Sequence, residues 1–457
     1  MRKHAKSHNF SEKLSELRPQ ISRVWRLSVP AILTQITTIA MQYIDSAMVG
    51  HLGANASAAI GLVSTSTWLM GGANYALFIG FSMQVAQYIG AGEAHNARKV
   101  AKHGFPTTLL TAILIALLGI CISEPLPRWL GGESALWDDA TAYFFVYSIT
   151  IPFLEVNRLA SGFMQSAGNM VVPSILNSLM CLLDVIFNMI FIPRYGVLGA
   201  GIGTGLATAV VCFIELWFCC LHYEPLRLNR KEKCTFDLSI LKRALKIGVP
   251  VGAESMAFSG ASVVSTTIIA PLGAVAIAAH SFAITAESLC YMPGFGIASA
   301  ASTLVGQSVG AKDYRLARRY AYITVAFGSA MMAFTGLIMF MACPLVFSLL
   351  TPVAEVRTVA TQILRIGLLA EPLYGASMVS SGALRGAEDT LIPSLLMLFS
   401  VWVVRLGLAL IFVPIYGIHG MWMAMATELC IRGLLLLYRL FHSKYLKSEN
   451  GIRSTLA

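Results

Sequence analysis

The chain has 457 residues, 56% of them hydrophobic and only 12% charged, a balance that excludes an ordinary soluble domain. Its formal charge of +10 lies in short polar stretches between apolar runs, so it reports membrane topology and gives no sign of nucleic-acid binding. The nine cysteines are scattered through those runs without the paired spacings of a zinc or redox centre, and read as small packing residues.

In chain order, residues 1–23 form a polar, basic N-terminal segment, and the apolar run after it lacks a small-residue cleavage site, so a retained first span is expected. Apolar runs long enough to cross a bilayer are predicted at 24–49, 56–88, 99–122, 137–157, 168–192, 196–221, 243–269, 274–302, 319–343, 355–380, 389–414 and 417–441. The longest polar linker, 222–242, contains Arg227, Arg230, Lys231 and Lys233 and reads as a connector between two halves, 24–221 and 243–441. A tail follows at 442–457. Basic residues concentrate in the N-terminus, the even-numbered loops and the C-terminus, whereas the opposite side holds only Arg128, Arg194 and Arg357. Both termini are therefore expected to be cytoplasmic. The Arg98 and Arg318 clusters sit at cytoplasmic helix starts and read as topology and lipid-phosphate contacts.

The halves are internal repeats. At a constant offset of 220, Pro30 matches Pro250, Leu52-Gly53 matches Leu272-Gly273, Gln87 and Gly90-Ala91 match Gln307 and Gly310-Ala311, and Arg98 matches Arg318. Ser161-Gly162 and Pro173-Ser174 match Ser381-Gly382 and Pro393-Ser394, and after one inserted residue Pro193, Tyr195-Gly196 and Gly199 match Pro414, Tyr416-Gly417 and Gly420. An even number of spans per half makes the repeats parallel, related by an axis along the membrane normal. The predicted fold is thus an all-α polytopic membrane protein, with twelve transmembrane helices in two parallel-repeat six-helix bundles around a central cleft. Such a layout suits alternating access; a duplicated scaffold or passive channel is the competing reading.

Acids inside spans are expensive and mark candidate sites. At ~1.5 Å rise per residue, Asp45 lies roughly 28 Å beyond Arg26, in the far half of the first span. Asp184 lies at a similar depth in span five, about 24 Å beyond Gly168, so the two are expected to share one site. Asn188, one helical turn from Asp184 on the same face, together with Gln35 and Gln42, would complete it; for these amides, helix–helix hydrogen bonding is the competing reading. Glu254, Glu287 and Glu371 lie deep in spans seven, eight and ten opposite uncharged repeat counterparts, and are candidates for a cation or substrate role or for internal pairs with Arg365 or Arg405. Glu428 and Arg432 are spaced for an ion pair within one helix, and Glu155 and Glu215 are expected to snorkel toward helix ends. Tyr43, Trp68, Met256 and Tyr291 are candidate contacts for a lipophilic substrate, with Tyr75, Phe153, Phe258 and Met292 of the same soft character.

With the repeat and Asp45 in view, the chain resembles the multidrug and toxic compound extrusion family, prokaryotic type, over nearly its whole length. The resemblance rests on Val29-Pro30 followed by MQYIDSAMVGHLG, on VAQYIGAG from Val85 with its twin LVGQSVGA from Leu304, and on GFMQSAGNMVVPS from Gly162 with its twin GALRGAEDTLIPS from Gly382. It implies a non-enzymatic, multi-pass protein of the plasma or inner membrane that expels amphipathic, often cationic compounds in exchange for protons or sodium ions. It also implies that Asp45 fills the family's first-span acid position, and that Asp184 and Asn188 form, in reversed order, the Asn/Asp pair of proton-coupled members. A sodium ion would bind at Asp45 and Asp184. Sodium-binding members place acids in spans seven and ten; here Glu254 and Glu371 stand in those spans, about one turn from the family positions. The expected partners are amphipathic small molecules and membrane lipids, with the chain acting as a monomer. No cofactor is expected beyond the coupling ion, since no G-x-x-x-x-G-K-[ST] loop or H-E-x-x-H set occurs. A lipid-linked precursor flippase of the same superfamily is the alternative.

Overall fold

In the computed structural model, which describes residues 2–228 and 237–444, every regular element is a helix. With no water in a bilayer core, each backbone polar group must be satisfied within its own segment, and helices do so. The first half comprises α1 (Arg2–Gly50), α2 (Ala54–Gly90), α3 (Ala94–Ile122), α4 (Trp137–Ser166), α5 (Val171–Tyr195) and α6 (Val197–Trp217). The second comprises α7 (Leu238–Ile269), α8 (Ala274–Gly310), α9 (Tyr314–Leu350), α10 (Ala354–Leu368), α11 (Glu371–Gly386), α12 (Leu391–Phe399), α13 (Leu406–Tyr416) and α14 (Ile418–His442). With α10–α11 and α12–α13 counted as one interrupted pass each, the chain makes twelve passes. The tail from 445 and connector residues 229–236, including Arg230, Lys231 and Lys233, lie outside the described residues.

Among the described residues, eight stretches are long and apolar enough to cross a membrane, and one of them, Val171–His222, holds both α5 and α6. The three remaining passes are α2, α4 and the broken α10–α11. Two passes are interrupted. Pro372 lacks an N–H and is preset for a helix start, so the tenth pass stops at Leu368 and restarts at Glu371. In the eleventh pass, Ser400–Arg405 winds as a π-helix between α12 and α13, a form found mostly at functional sites. The repeat also extends to backbone conformation: the matched turns between α5 and α6 and between α13 and α14 use Gly196 at φ +59° and Gly417 at φ +60°, a left-handed geometry that glycine adopts without strain.

The halves meet along α1 against α8 and along α2 against α7 and α8. Val24, Leu27 and Ala31 of α1 belong to the same buried cluster as Ile297, Ala300 and Leu304 of α8. Where α2 and α8 finish, the helices touch backbone to backbone: a Cβ on Gly90 would land on the Gln307 backbone, and one on Gly310 would land on the Gln87 backbone. Gly248 and Gly80 make equally close approaches to Ala76 and Ala244. Toward the other end the fit loosens. A Cβ on Gly72 would meet Met256 at ordinary contact distance, and Met256 and Phe258 are 48% and 39% exposed. Outside the spans, Asp237 caps α7 and ties it to the first half: its carboxylate accepts from Lys99 Nζ at 2.9 Å and from Ser239, while its backbone N–H donates to His103 Nε2 at 2.9 Å. The bonds from Lys99 and Ser239 hold that carboxyl well below the usual carboxylate range.

Candidate functional site

Leu176, Met180, Asp184, Asn188 and Ile192 form the buried stripe of α5 at a spacing of four, so an acid and an amide interrupt an otherwise apolar face. Asp184 and Asn188 are both fully buried. α1 brings Asp45 to the same point, where Asn188 Nδ2 donates to Asp45 Oδ1 at 2.9 Å. Asp184 lies one helical turn before Asn188 on that same buried face, which brings its carboxyl to the side of α5 that meets Asp45. Among the described residues, neither Asp184 oxygen nor Asn188 Oδ1 has a hydrogen-bond partner. Gly203 of α6 makes room for this amide, since a Cβ there would strike Asn188 Oδ1. Two to three turns back along α1, Asn177 Nδ2 donates to Thr34 O at 3.0 Å and to Thr38 Oγ1 at 3.2 Å, fixing α1 against α5. These amide contacts and the Gly203 clearance carried no sequence signal beyond the residue types.

The three acids of the second half separate into different environments. Glu254 is an ion-paired residue: Arg385 Nη2 donates to its Oε1 at 2.9 Å and Ser394 Oγ to its Oε2 at 2.6 Å. The expected partner, Arg365 or Arg405, is thereby corrected to Arg385. Arg365 instead lies over the Phe340 ring, and Arg405 turns to Glu428. Glu287 and Glu371 are neighbours and are nearly fully buried; both Glu371 oxygens lack a hydrogen-bond partner among the described residues. Glu371 opens α11, where the helix N-terminus favours negative charge.

Beside them, Glu428 gathers a larger network than the expected pair. Arg432 Nε stands 3.2 Å from its Oε1, Arg405 Nη2 reaches its Oε2 at 2.6 Å, and Ser400 Oγ donates to its Oε1 at 2.7 Å. Ser400 and Arg405, the two ends of the π-helix, reach Glu428 from another pass, whereas an i-to-i+4 reading along one helix finds only Arg432. Arg432 also lies 5.2 Å from the centre of the Tyr374 ring.

The expected snorkelling of Glu155 and Glu215 is not observed. Both are 1% exposed: Glu155 is held at 3.1 Å by Arg158, one turn on in its own helix, and Glu215 accepts from Ser161 Oγ of the neighbouring α4 at 2.5 Å. Along the cleft, Tyr43 is 37% exposed and donates its hydroxyl to Thr285 O at 3.0 Å, bridging α1 to α8. Tyr291 packs edge-on against Tyr374, and Met256 faces Gly72 across the halves. Gln35 is half-buried and Gln42 exposed on α1, and neither joins the Asp45 hydrogen bond. The Trp68 side chain lies outside the described residues.

Comparison with known proteins fits this architecture. The family model MatE matches residues 30–190 and 250–411, one match in each half beginning at Pro30 and Pro250. The chain is 27% identical to "Probable multidrug resistance protein NorM" of Chromobacterium violaceum, over 96% of this chain and 97% of that one. It is 26% identical to the protein of the same name from Thermotoga maritima, over 97% and 96%. Among solved structures it superposes on the Vibrio cholerae MATE transporter VcmN in the bent form, with a TM-score of 0.88 at 19% identity, covering 95% of this chain and 99% of that one. An outward-facing multidrug resistance transporter of the MATE family superposes with a TM-score of 0.88 at 20% identity, covering 94% and 97%. With both halves matched by one family model and the twelve-pass, two-bundle fold shared with these transporters, the chain belongs to the multidrug and toxic compound extrusion family.

Proposed function

We propose that this protein is a secondary multidrug efflux transporter that exports amphipathic, often cationic compounds in exchange for a proton or a sodium ion. The observation that carries the reading is the Asp45–Asp184–Asn188 cluster between α1 and α5, where Asp184 and Asn188 are fully buried and the half-buried Asp45 accepts from Asn188. Two carboxyls and an amide oxygen, with both Asp184 oxygens and Asn188 Oδ1 lacking a partner among the described residues, are suited to a hard monovalent cation and equally to a proton. Binding there neutralises a buried charge, and so alters how α1 packs on α5. Because α1 also packs on α8 of the other half, the cation's state is linked to the relation between the halves.

The close fit at the basic end and the looser fit beyond it support an outward-facing arrangement, with both termini in the cytoplasm as the basic loops indicate. Tyr43, Met256 and Tyr291 line the region where the halves diverge and supply the soft, polarizable surface that lipophilic cations prefer. Glu287 and Glu371 lie deeper in the second half and balance substrate charge.

The test is uptake of a fluorescent lipophilic cation into proteoliposomes, driven separately by an imposed proton gradient and an imposed sodium gradient. Uphill accumulation under one gradient alone supports the antiporter and names its ion. Absence of uphill movement under either one overturns the reading and makes lipid-linked substrates the next assay.

A further inference from the structure

The repeat produces a symmetric set of hydrogen bonds across the two halves that the cation site does not use. Arg23 Nη2 donates to Gln307 Oε1 at 2.8 Å, and Arg243 Nη2, 220 residues on, donates to Gln87 Oε1 at 2.6 Å. Each glutamine then uses its amide nitrogen on a carbonyl of the opposite half: Gln307 Nε2 on Ser166 O at 2.9 Å, and Gln87 Nε2 on Gly386 O at 3.4 Å. All four bonds run between halves, and each pair obeys the same 220-residue offset. They surround the points where Gly90 and Gly310 bring the backbones of α2 and α8 into contact.

The hydrogen bonds are not symmetric at Arg243. Arg243 Nη2 also donates to Glu388 Oε1 at 2.6 Å, whereas the residue matching Glu388 is Gly168. Both occupy the left-handed region, Gly168 at φ +93° and Glu388 at φ +60°. Glycine is the unstrained choice in such a turn and a glutamate is not. Glu388 therefore stands against local backbone preference, and what it contributes is a carboxylate on the arginine that joins the halves.

We propose that Arg23–Gln307 and Arg243–Gln87 form a two-sided latch closing the halves at the basic end, and that Glu388 sets how tightly it holds. A neutral glutamine suits a latch that must open, because an arginine released from it leaves no buried anion behind, whereas breaking an ion pair would. The carboxylate on one side only makes the two arms unequal, so the Arg243 arm is the last to release. The proposal rests on the reading that the halves rock against each other.

The test uses the full chain with its native cysteines replaced, transport retained, and spin labels at His95 and Arg315, exposed positions on the first turns of α3 and α9. Distances between the labels are measured by pulsed electron spin resonance in lipid nanodiscs, with and without substrate. Arg23→Ala combined with Arg243→Ala is expected to raise the ratio of separated to closed populations by about a hundredfold, roughly tenfold for each charge-assisted hydrogen bond lost. Glu388→Gly is expected to raise it a few-fold while leaving the thermal midpoint unchanged or higher, since glycine suits that turn. This second variant keeps the test valid should the double variant fold poorly. Unchanged ratios in both variants overturn the latch alone. A single distance in the parent protein under every condition overturns the rocking reading and the latch together.

Discussion

The Asn188 amide on α5 donates to the Asp45 carboxylate on α1 at 2.9 Å, and the space it occupies exists because residue 203 on α6 has no side chain. Three helices thus determine one hydrogen bond. Asn188→Ala is expected to cut gradient-driven transport about tenfold or more, the cost of removing a bond to a charged group. Gly203→Ala forces the amide aside without changing its chemistry, and should move transport in the same direction. Initial rates in proteoliposomes compare the two; a silent Gly203→Ala would mean that the amide is not held by this packing.

Glu428 and Glu371 are both buried acids of the second half, but they are predicted to respond oppositely to neutralisation. Glu428 compensates Arg405 and Arg432 at once, so Glu428→Gln leaves buried guanidinium charge unpaired and should cost about 3–5 kcal/mol. Glu371 has no hydrogen-bond partner on either oxygen among the described residues, so Glu371→Gln should leave stability unchanged or raise it. Thermal unfolding of the detergent-solubilised variants separates these outcomes. Transport by Glu371→Gln then tests its proposed role with substrate charge, and a fall in affinity for cationic but not neutral compounds is the expected result.

The glycine contacts between α2 and α8 give a stability prediction of their own. Gly90→Ala and Gly310→Ala each push a Cβ into a helix backbone of the other half, and should each destabilise by about 1–3 kcal/mol. The two losses should match, because the contacts are related by the repeat. Gly61→Ala in the same helix has open space around it and should be neutral or slightly stabilising. Thermal midpoints of the three variants are the check.

Much of this organisation was legible in the chain itself. Span positions follow from apolar run length, and the 220-residue register that links Pro30 to Pro250 also links Gly90 to Gly310 and Arg23 to Arg243 in space. Asp45 and Asp184 could be brought to one depth by counting helical rise, and it is Asn188, one turn from Asp184, that bonds to Asp45. Partner choice in the second half was less accessible. Glu254 finds Arg385 from another pass, and Arg405 finds Glu428 because a π-helix changes which side chains share a face. Neither the π-helix nor a pairing between passes leaves a periodic trace, and the Ser161 partner of Glu215 comes from a neighbouring helix, whereas the Glu155–Arg158 pair has i-to-i+3 spacing within one.

The proposed coupling role of Asp45, with Asp184, is best checked with Asp45→Asn. The amide keeps the size of the side chain and an oxygen for Asn188 but removes the charge. Two assays on the same proteoliposomes are compared: uphill uptake driven by the productive gradient, and exchange of labelled for unlabelled substrate with no gradient. The account predicts that Asp45→Asn loses uphill uptake while retaining exchange, since substrate binding and rocking remain possible without the ion. Full uphill transport by Asp45→Asn at normal expression would contradict it and move the coupling site away from the first half.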